Sequence, residues 1–382
     1  MSLRVLITGG AGFIGRHLGA ALCARGCRVT VLDIFSEQIH SANPSTDLSA
    51  YAERTIVGDI CDPAAVSEAV EGQDVVVHLA AETGTGQSMY EVTRYEQVNI
   101  HGTAVLIEAI ADQIPRTVRR VVVASSRAIY GEGACTCSGH GVVFPAARIA
   151  EDMSRGAFEP RCPHCGAECS WTETAETAPL SPSSFYGLSK QVQEQMILMF
   201  ASHLQVSAYV LRYQNVYGPG QSLINPYTGI LAIFSNLSRQ GKDINVFEDG
   251  LESRDFVYID DVVEATAQCV LREDPVVTAL NVGSGVRTTV LEVAKSIVAH
   301  FNSESDVHVS GAFRVGDIRH NVADITRAKE TLGFEPRWSF EHGLRSFLEW
   351  ASAQDAVETG FERSLDEMRD RGLLLSPDPI RA

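Results

Sequence analysis

The stretch RVLITGGAGFIGRHL near the N-terminus constrains the fold of this chain more than any other feature. Its VLI run is continuously apolar, as in a strand that is buried on both faces of a parallel sheet. Gly10, Gly12 and Gly15 match G-x-G-x-x-G, and Gly9, Gly12 and Gly15 match the related spacing G-x-x-G-x-x-G. Glycine permits the tight turn and the close approach of a pyrophosphate, which the N–H groups of the next helix bind. The stretch therefore predicts a strand, a turn and a helix that hold a dinucleotide.

The second predicted strand, RVTVLDI, selects between the two common dinucleotides. It ends at Asp33, whose carboxylate accepts hydrogen bonds from a ribose 2′-OH and repels a 2′-phosphate. Taken alone, Asp33 could equally be a solvated loop acid, so the prediction depends on the glycine motif before it. Together the two features favour NAD over NADP as the cofactor.

Strands and helices continue to alternate along the first half of the chain. The segments RTIVGDICD, DVVVHLAAE and RRVVVASS read as strands with helical stretches between them. This rhythm predicts a Rossmann-type doubly wound parallel sheet of the α/β class. Because ligands bind at the carboxyl ends of such strands, we expect cofactor contacts from Asp59, Ile60, Leu79, Ala80 and Ala81.

The pattern of segments also predicts a domain organisation. Residues 1–213 are expected to form the NAD-binding domain, interrupted by an inserted segment at 133–175. Residues 214–350 are expected to form mainly a smaller C-terminal α/β lobe for the substrate, although 251–285 should pack back on the large domain. Residues 351–382 read as a charged, helical tail without an assigned role.

Composition excludes several classes of partner. A chain of 382 residues with 45% hydrophobic residues is expected to form a packed core in one large or two coupled domains. A formal net charge of −17 argues against nucleic acid or an anionic membrane as a general partner. The N-terminus lacks the pattern of a signal peptide, and no apolar run is long enough to span a bilayer. We therefore expect a cytoplasmic protein that binds neither nucleic acid nor membrane.

The stretch SSFYGLSK contains a candidate catalytic pair. Tyr186 and Lys190 are four residues apart, so they share one face of a predicted helix. An ammonium group beside a phenol favours the phenolate, so we expect Lys190 to lower the pKa of Tyr186 and make it a usable base. Ser126 lies at the carboxyl end of the RRVVVASS strand, where its hydroxyl could bridge a sugar oxygen and the tyrosine.

Taken together, these motifs resemble the extended short-chain dehydrogenase/reductases of the NAD-dependent nucleotide-sugar epimerase/dehydratase type. TGGAGFIG, SSxxxYG and YxxxK carry the resemblance, along with the later blocks LRYQNVYGPGQ, SRDFVYIDDVVEA and LNVGSG. The family implies tightly bound NAD, a nucleoside-diphosphate sugar carrying dTDP or UDP as substrate, and a homodimer. It implies the catalytic set Ser126, Tyr186 and Lys190, the further cofactor contacts Phe13, Ile14, Asn99, Tyr186 and Lys190, and the substrate contacts Ser126, Tyr186, Asn215, Gln221, Phe247, Arg254 and Arg314.

Two positions refine the implied reaction. Family members that dehydrate their sugar carry an Asp–Glu pair directly after the serine or threonine, whereas this chain has Arg127 and Ala128, which disfavours a 4,6-dehydratase. Gln214, where many relatives have phenylalanine, and the stretch AAETGTGQSMYE resemble enzymes that epimerise dTDP-L-rhamnose at C4 to dTDP-6-deoxy-L-talose. The resemblance thus implies C4 epimerisation through a 4-keto sugar.

Other functions remain open at this point. A UDP-glucose or UDP-glucuronate 4-epimerase, a UDP-glucuronate decarboxylase or a 4-keto-sugar reductase would use the same scaffold. A reductase would often prefer NADP, which Asp33 disfavours. A non-catalytic, NAD-sensing scaffold protein is a third class, but it would have no need for an intact Ser126, Tyr186 and Lys190 set.

Five of the nine cysteines cluster in the inserted segment. Cys137-x-x-His140-Gly and Cys162-x-x-Cys165-Gly are two knuckles with the spacing of tetrahedral zinc ligands. They predict a zinc-ribbon-like insertion in which a Cys3His set holds a structural zinc, away from the catalytic chemistry. Reduced cysteines in a loop without metal are the competing interpretation. The alternative ligands are Cys135, Cys169 and His164.

Overall fold

The computed structural model describes residues 2–40, 45–223, 225, 229–354 and 360–377. Its strands, in chain order, are β1 (Arg4–Thr8), β2 (Arg28–Asp33), β3 (Arg54–Val57), β4 (Val75–His78), β5 (Arg120–Ser126), β6 (Cys135–Cys137), β7 (Gly141–Val143), β8 (Ser170–Trp171), β9 (Ser207–Tyr213), β10 (Asn215–Tyr217), β11 (Ile244–Val246), β12 (Ser253–Tyr258), β13 (Val277–Val282), β14 (Arg287–Thr289), β15 (Val307–Val309), β16 (Phe313–Arg314), β17 (His320–Asn321) and β18 (Leu374–Leu375).

The α-helices, in chain order, are α1 (Phe13–Ala24), α2 (Glu37–His40), α3 (Pro63–Val70), α4 (Thr85–Ser88), α5 (Val92–Tyr95), α6 (Gly102–Ala111), α7 (Ala150–Ser154), α8 (Phe185–Leu204), α9 (Ile230–Arg239), α10 (Ile259–Leu271), α11 (Val290–Phe301), α12 (Thr326–Leu332), α13 (Phe340–Ser352) and α14 (Phe361–Asp370). A π-helical turn at Glu96–His101 precedes α6, and a 3-10 turn at Arg127–Tyr130 follows β5. Within the described ranges, we find no helix with the length and apolar character needed to cross a membrane.

Seven parallel strands form the large sheet, in the order β13-β9-β5-β4-β1-β2-β3. This arrangement confirms the predicted Rossmann-type parallel sheet. The chain steps outward from β1 in both directions, so the carboxyl ends of β1 and β4 meet at the point where the winding reverses. A crevice at this point is the usual ligand site of such sheets.

Both faces of the large sheet are apolar, as its continuous hydrophobic strands require. Val5 and Ile7 belong to one buried cluster and Leu6 to the other, because successive side chains of a strand point to opposite faces. Helices α1 and α10 contribute to the first cluster, whereas α3, α6 and α8 contribute to the second. Helices on both faces are what makes a parallel sheet stable.

The smaller lobe is built around β12, which pairs in parallel with β10 and β17 and antiparallel with β14. Strands β11 and β15 form a separate parallel pair. Apolar residues of α9, α11 and α13 extend the first cluster of the large sheet into the lobe. Strand β13 and helix α10 belong to the large sheet's layers although they follow β12 in the chain.

The inserted segment and the C-terminal tail each add a small element. In the insertion, β6 pairs antiparallel with β7 and β8, around a cluster made of four cysteines and Val143. In the tail, β18 pairs antiparallel with β16. Helix α14 buries Leu365 and Met368 against Phe247 of the lobe.

Candidate active site

A cavity of about 890 Å³ lies between the carboxyl edge of the large sheet and the smaller lobe. Its lining includes the glycine turn after β1, the ends of β2, β4 and β5, and residues of β10, β12 and β16. The crevice expected from the strand order is therefore present, and the lobe forms its second wall.

The glycine turn forms a close cradle on the sheet side of this cavity. Gly9 has φ +70°, and a Cβ there would lie 2.7 Å from the backbone N of Ala80. A Cβ on Gly15 would lie 2.6 Å from the carbonyl oxygen of Gly9. Any side chain at either position would push the turn apart, so glycine is required for this backbone path. The turn leads directly into α1, and its shape fits a diphosphate placed at the helix N-terminus.

Asp33 is held in a fixed orientation at the end of β2. Its two carboxylate oxygens accept hydrogen bonds from the backbone N–H groups of Ala11, at 2.9 Å, and Phe35, at 2.8 Å. The side chain is buried and lines the cavity beside the glycine turn. Together, the cradle and this carboxylate fit the diphosphate and the adenosine ribose of NAD.

The predicted cofactor residues divide into two groups. The residues that line the cavity are Gly9, Gly12, Phe13, Ile14, Gly15, Asp33, Asp59, Ile60, Leu79, Ala80, Ala81, Tyr186 and Lys190. Asn99 instead lies beneath the wall, where its amide exchanges hydrogen bonds with the backbone of Glu82 and donates to Ser189 Oγ. In this position the side chain of Asn99 ties the loop after β4 to helix α8, and its contact with the cofactor stays a prediction.

Helix α8 brings the predicted catalytic residues together. Ser184 caps the helix by accepting a hydrogen bond from the backbone N of Gly187 at 3.1 Å. A Cβ on Gly187 would lie 2.5 Å from the carbonyl oxygen of Ala128, so only glycine lets α8 approach the turn after β5 this closely. This approach places Tyr186 within hydrogen-bonding reach of Ser126 at the end of β5.

Lys190 is buried one helical turn after Tyr186. Its Nζ donates to the carbonyl oxygen of Ala124 and to Gln193 Oε1, both at 2.8 Å. Burial lowers the pKa of Lys190 to about 7, because the charged form loses hydration. The ammonium group is thus fixed by two acceptors at the floor of the cavity.

The electrostatics around Tyr186 differ from the sequence prediction. Burial raises the pKa of Tyr186 above its ordinary value, and the opposing influences are the hydrogen bond with Ser126 and the positive charge of Arg127. The prediction that Lys190 holds the pKa of Tyr186 below its ordinary value is therefore wrong. Desolvation outweighs the nearby cations, and Arg127 is the one that acts on the phenol.

Arg127 is a cavity-lining residue whose role the sequence did not indicate. Burial, together with the neighbouring Arg254, lowers the pKa of Arg127 to about 9, whereas Asp317 and Tyr186 act in the opposite direction. The charge of Arg127 therefore interacts both with the phenol of Tyr186 at the sheet edge and with Arg254 of the lobe.

The lobe wall of the cavity carries buried polar atoms that lack hydrogen-bond partners among the described residues. Such atoms are costly in a protein interior, and when they cluster at a cavity they indicate a polar ligand. These atoms are Gln214 Oε1, Asn215 Oδ1, Gln221 Oε1, Ser222 Oγ and Arg314 Nε. They include three of the predicted substrate residues, and they offer both donors and acceptors.

Two predicted arginines are organised around one carboxylate. Arg254 Nη2 donates to Asp317 Oδ1 at 2.9 Å, and Arg314 Nε lies 3.9 Å from Asp317 Oδ2. Burial would raise the pKa of Asp317, but Arg254, Arg314 and Arg148 outweigh it and lower the pKa to about 2. Asp317 thus stays ionised and holds the two guanidinium groups at the cavity wall.

Phe247, a predicted substrate contact, is not among the residues that line the cavity. It lies behind the wall, where its ring packs beneath Arg314 with the guanidinium carbon 4.9 Å from the ring centroid. Its other neighbours are Leu365, Met368 and Leu374 of the tail. In this structure Phe247 supports the guanidinium group of Arg314, and residues of the tail pack against the same ring.

The tail contributes residues to the site that the sequence reading missed. Met368 of α14 and Leu373 after it line the cavity. The N–H of Val315 donates to the carbonyl oxygen of Leu373 at 2.9 Å, next to the β16–β18 pair that carries Arg314. The available signal was the apolar spacing of Phe361, Leu365 and Met368, which predicts an amphipathic helix with one buried face.

The insertion brings the four predicted metal ligands together, away from the cavity lining. One ligand atom from each of Cys137, His140, Cys162 and Cys165 lies within 4.8 Å of the other three. The thiols of Cys135 and Cys169 are buried nearby but are not part of this group.

The chain was compared with known protein families and structures to find proteins that share this arrangement. Residues 5–145 and 162–283 match the profile of the NAD dependent epimerase/dehydratase family. The match is interrupted over residues 146–161, which lie in the insertion.

Individual proteins are similar over almost the whole chain. A dTDP-L-rhamnose 4-epimerase from Burkholderia thailandensis is 37% identical, over 92% of this chain and 95% of that protein. The structure of a UDP-glucose 4-epimerase from Thermotoga maritima with UDP-glucose is 30% identical and has a TM-score of 0.73, over 92% and 99% of the two chains. The UDP-glucose 4-epimerase of Thermus thermophilus in complex with NAD is 26% identical and has a TM-score of 0.71, over 92% and 100%.

Proposed function

Because this chain belongs to the NAD-dependent epimerase/dehydratase family, we propose that it inverts the configuration at C4 of a nucleoside-diphosphate sugar. The preferred substrate in this proposal is dTDP-L-rhamnose, and the product is dTDP-6-deoxy-L-talose. The 37% identical dTDP-L-rhamnose 4-epimerase supports this choice, as do Arg127 and Ala128 after Ser126. A UDP-sugar 4-epimerase is the second candidate, because a similar structure holds UDP-glucose.

The proposed cofactor is NAD, which remains bound through the cycle. Gly9, Gly12 and Gly15 would hold its diphosphate, and Asp33 would hold its adenosine ribose. When bound there, NAD would supply a reversible hydride acceptor for C4 of the sugar.

The proton chemistry falls to residues at the end of β5 and the start of α8. In its phenolate form, Tyr186 accepts the proton of the sugar 4-hydroxyl, and the phenol later returns it, with Ser126 as its hydrogen-bond partner. Arg127 favours the phenolate through its positive charge. Lys190 contributes a fixed donor held by Ala124 and Gln193.

The observation that carries the assignment is the charge at the position after Ser126. An elimination of water would need a carboxyl acid there, and neither Arg127 nor Ala128 carries a carboxyl group. A reaction that only moves a hydride and the C4 hydroxyl proton needs no second acid. Ser126, Tyr186 and Lys190 are sufficient for that reaction.

The substrate diphosphate is proposed to bind at the lobe wall. Arg254 and Arg314 supply guanidinium donors, which suit phosphate oxygens, and Asn215 supplies an amide. The unpartnered side-chain atoms of Gln214, Gln221 and Ser222 offer further hydrogen bonds to the nucleotide or the sugar. A net charge of −17 makes such a local cationic wall necessary for an anionic substrate.

We further propose that two copies of the chain associate through helix α8. Leu188 is 45% exposed and Met199 is 70% exposed, and they lie on the same face of the helix, with Val192 and Met196 between them. An exposed apolar stripe of this kind is typical of a helical interface. Light scattering of the purified protein tests this point, and Met199→Lys should shift a dimer toward monomer.

Proton NMR of the purified protein with a panel of nucleotide sugars tests the reaction. The panel contains dTDP-L-rhamnose, dTDP-glucose, UDP-glucose and UDP-glucuronate, without added NAD. We expect a new anomeric signal from dTDP-L-rhamnose that grows to a fixed equilibrium ratio. Deuterium placed at C4 should stay at C4 of the product, because the hydride never exchanges with water.

The panel also separates the competing functions. A new signal from a UDP-sugar alone would move the assignment to the second candidate. No reaction with any sugar, even after NAD is supplied, would contradict the 4-epimerase proposal. Loss of the C4 deuterium to solvent would contradict the proposed return of the same hydride.

A further inference from the structure

The insertion contains a four-residue cluster that the proposed reaction does not use. Cys137 and His140 lie at the turn between β6 and β7, and Cys162 and Cys165 lie in the following loop. The Nδ1 atom of His140 is 3.6 Å from the Sγ atoms of both Cys137 and Cys162. The Sγ atoms of Cys137 and Cys165 are 3.7 Å apart.

These separations are those of a tetrahedral metal site. Zinc bonds of about 2.3 Å to sulfur and about 2.0 Å to nitrogen place neighbouring ligands about 3.8 Å apart for two sulfurs and about 3.6 Å apart for sulfur and nitrogen. The same distances are far longer than the bond of about 2.05 Å in a disulfide. We propose that the insertion binds one Zn²⁺ through Cys137, His140, Cys162 and Cys165.

The nearby alternative ligands are placed differently. Cys135 and Cys169 are buried with Val143 in the small core of the insertion. The ring of His164 packs against the ring of His140, with centroids 5.1 Å apart. The four-residue set therefore forms a closed site with protein ligands only, which is the form of a structural zinc.

The zinc site closes a loop that the insertion's own core could not hold. Residues 141–161 run between the two ligand pairs, and the cluster beside the ligands consists of four cysteines and one valine, whereas Met153 and Phe158 of the loop pack against Phe313 of the lobe. A metal that joins both ends of such a loop binds the folded segment, because the site does not exist in the unfolded chain. The energy of metal binding thus becomes energy of folding for this segment.

The loop closed by the zinc carries two side chains into the lobe. Arg148 Nε donates to Glu132, and its Nη1 donates to Glu248 at 2.8 Å. Glu159 accepts hydrogen bonds from Arg319 and His320. These contacts hold the loop against the segments that carry Glu132, Glu248 and Arg319.

One contact connects this loop to the proposed diphosphate site. Arg148 Nη2 donates to the carbonyl oxygen of Asp317 at 3.0 Å, and the carboxylate of Asp317 holds Arg254 and Arg314. We infer that the zinc acts at a distance as a positioning element for these two arginines. This part of the inference rests on the proposed function, whereas the metal site itself does not.

Metal analysis of the purified full-length protein tests the site directly. Inductively coupled plasma mass spectrometry should give about one zinc per chain. Cys162→Ser should lose the zinc, whereas Cys169→Ser, which changes a neighbouring thiol outside the set, should keep it. Absence of zinc from the wild type after growth with added zinc, or loss from Cys169→Ser alone, would overturn the assignment.

Cobalt substitution keeps the test valid if Cys162→Ser fails to fold. The wild-type protein refilled with Co²⁺ should show thiolate-to-cobalt charge-transfer bands and the intense d–d bands of tetrahedral cobalt. A weak octahedral spectrum would rule out the Cys3His set.

Kinetics of the metal-depleted wild type test the positioning role. Removal of the zinc should raise the KM for the nucleotide sugar about tenfold, while kcat and the NAD content change less than twofold. An unchanged KM would overturn the positioning role and leave the metal site standing. Should no nucleotide sugar react at all, the metal content would still decide the zinc assignment, so the two failures are distinguishable.

Discussion

The two halves of this protein differ in how much they depend on buried ion pairs. In the cofactor half, the parallel sheet and its helices bury two continuous apolar clusters, the first of which extends into the lobe. The substrate half, which comprises the lobe and the insertion, also joins its parts through several buried charges, such as Arg148 with Glu132 and Glu248, and Arg319 with Glu248 and Asp249. Apolar packing is tolerant in detail, whereas buried ion pairs depend on each partner being present.

The difference matches what each half has to bind. A resident cofactor needs a backbone cradle that stays the same throughout the cycle, and the glycine turn supplies it. A substrate that enters with a diphosphate needs cations, and in an acidic protein those cations must be held by nearby carboxylates until the substrate arrives. Asp317, between Arg254 and Arg314, is such a carboxylate.

The largest effect is expected from Tyr186→Phe, which should affect only the chemical step. The substitution removes one hydroxyl group and leaves the ring and its packing, so the rate should fall by about 10²- to 10⁴-fold. The KM, the NAD content and the thermal unfolding temperature should stay near the wild-type values. A variant that kept near-normal rates in the NMR assay would show that another group acts as the base.

Arg148→Met tests whether the substrate half depends on its ion pairs. Removal of this guanidinium leaves Glu132 and Glu248 buried without their partner, which costs about 3 to 5 kcal/mol of unfolding free energy. Arg155→Met is the matched control in the same insertion, because its pair with Glu151 is exposed to solvent and contributes little. Denaturant unfolding followed by circular dichroism would measure both, and equal stabilities would contradict the comparison of the two halves.

The same difference explains how far sequence reasoning could go. The alternation of strands and helices, the glycine turn and Asp33 follow from local patterns, because apolar runs and glycine spacing act over a few residues. The helix that carries Tyr186 and Lys190 was predictable for the same reason. The high pKa of Tyr186 was not, since it arises from burial by distant segments.

The substrate half shows the limits of local patterns more clearly. Phe247 is adjacent to the predicted arginine site, but whether its ring faces the substrate depends on where the tail folds. The sequence of the tail predicts only a charged, helical segment, and its strand β18 is recognised from its pairing with β16. Arg148 pairs with Glu248, a hundred residues further along the chain, and no sequence spacing predicts such a contact.

Arg254→Met tests the cationic wall directly, and it also removes a buried ion-pair partner of Asp317. Hydrogen bonds to charged groups contribute about 1.5 to 3 kcal/mol, so the KM for the nucleotide sugar should rise on the order of 10- to 100-fold. The kcat should change less, because the sugar C4 is handled by the cofactor half. Arg345→Met, on an exposed face of α13, serves as the control. Equal KM values for the two variants would place the diphosphate elsewhere.

The smallest expected effect concerns Glu252, which lines the cavity beside Arg254. Burial, together with Glu248 and Asp317, raises the pKa of Glu252 to about 8, so the carboxyl is neutral near pH 7 and ionised above pH 8. Its oxygen lies 3.5 Å from Arg254 Nη2, so ionisation places a negative charge at the proposed diphosphate site.

The wild-type KM should therefore rise about threefold between pH 7 and pH 8.8, since a nearby like charge costs on the order of 1 kcal/mol. Measurements stop there because the pKa of Arg127 lies at about 9. Glu252→Gln keeps the shape of the side chain but cannot ionise, so its KM should stay flat across this range. If both proteins showed the same rise, the alkaline loss of affinity would come from another group. If the KM rose only in the wild type, the neutral form of the Glu252 carboxyl would be shown to favour binding of the anionic substrate.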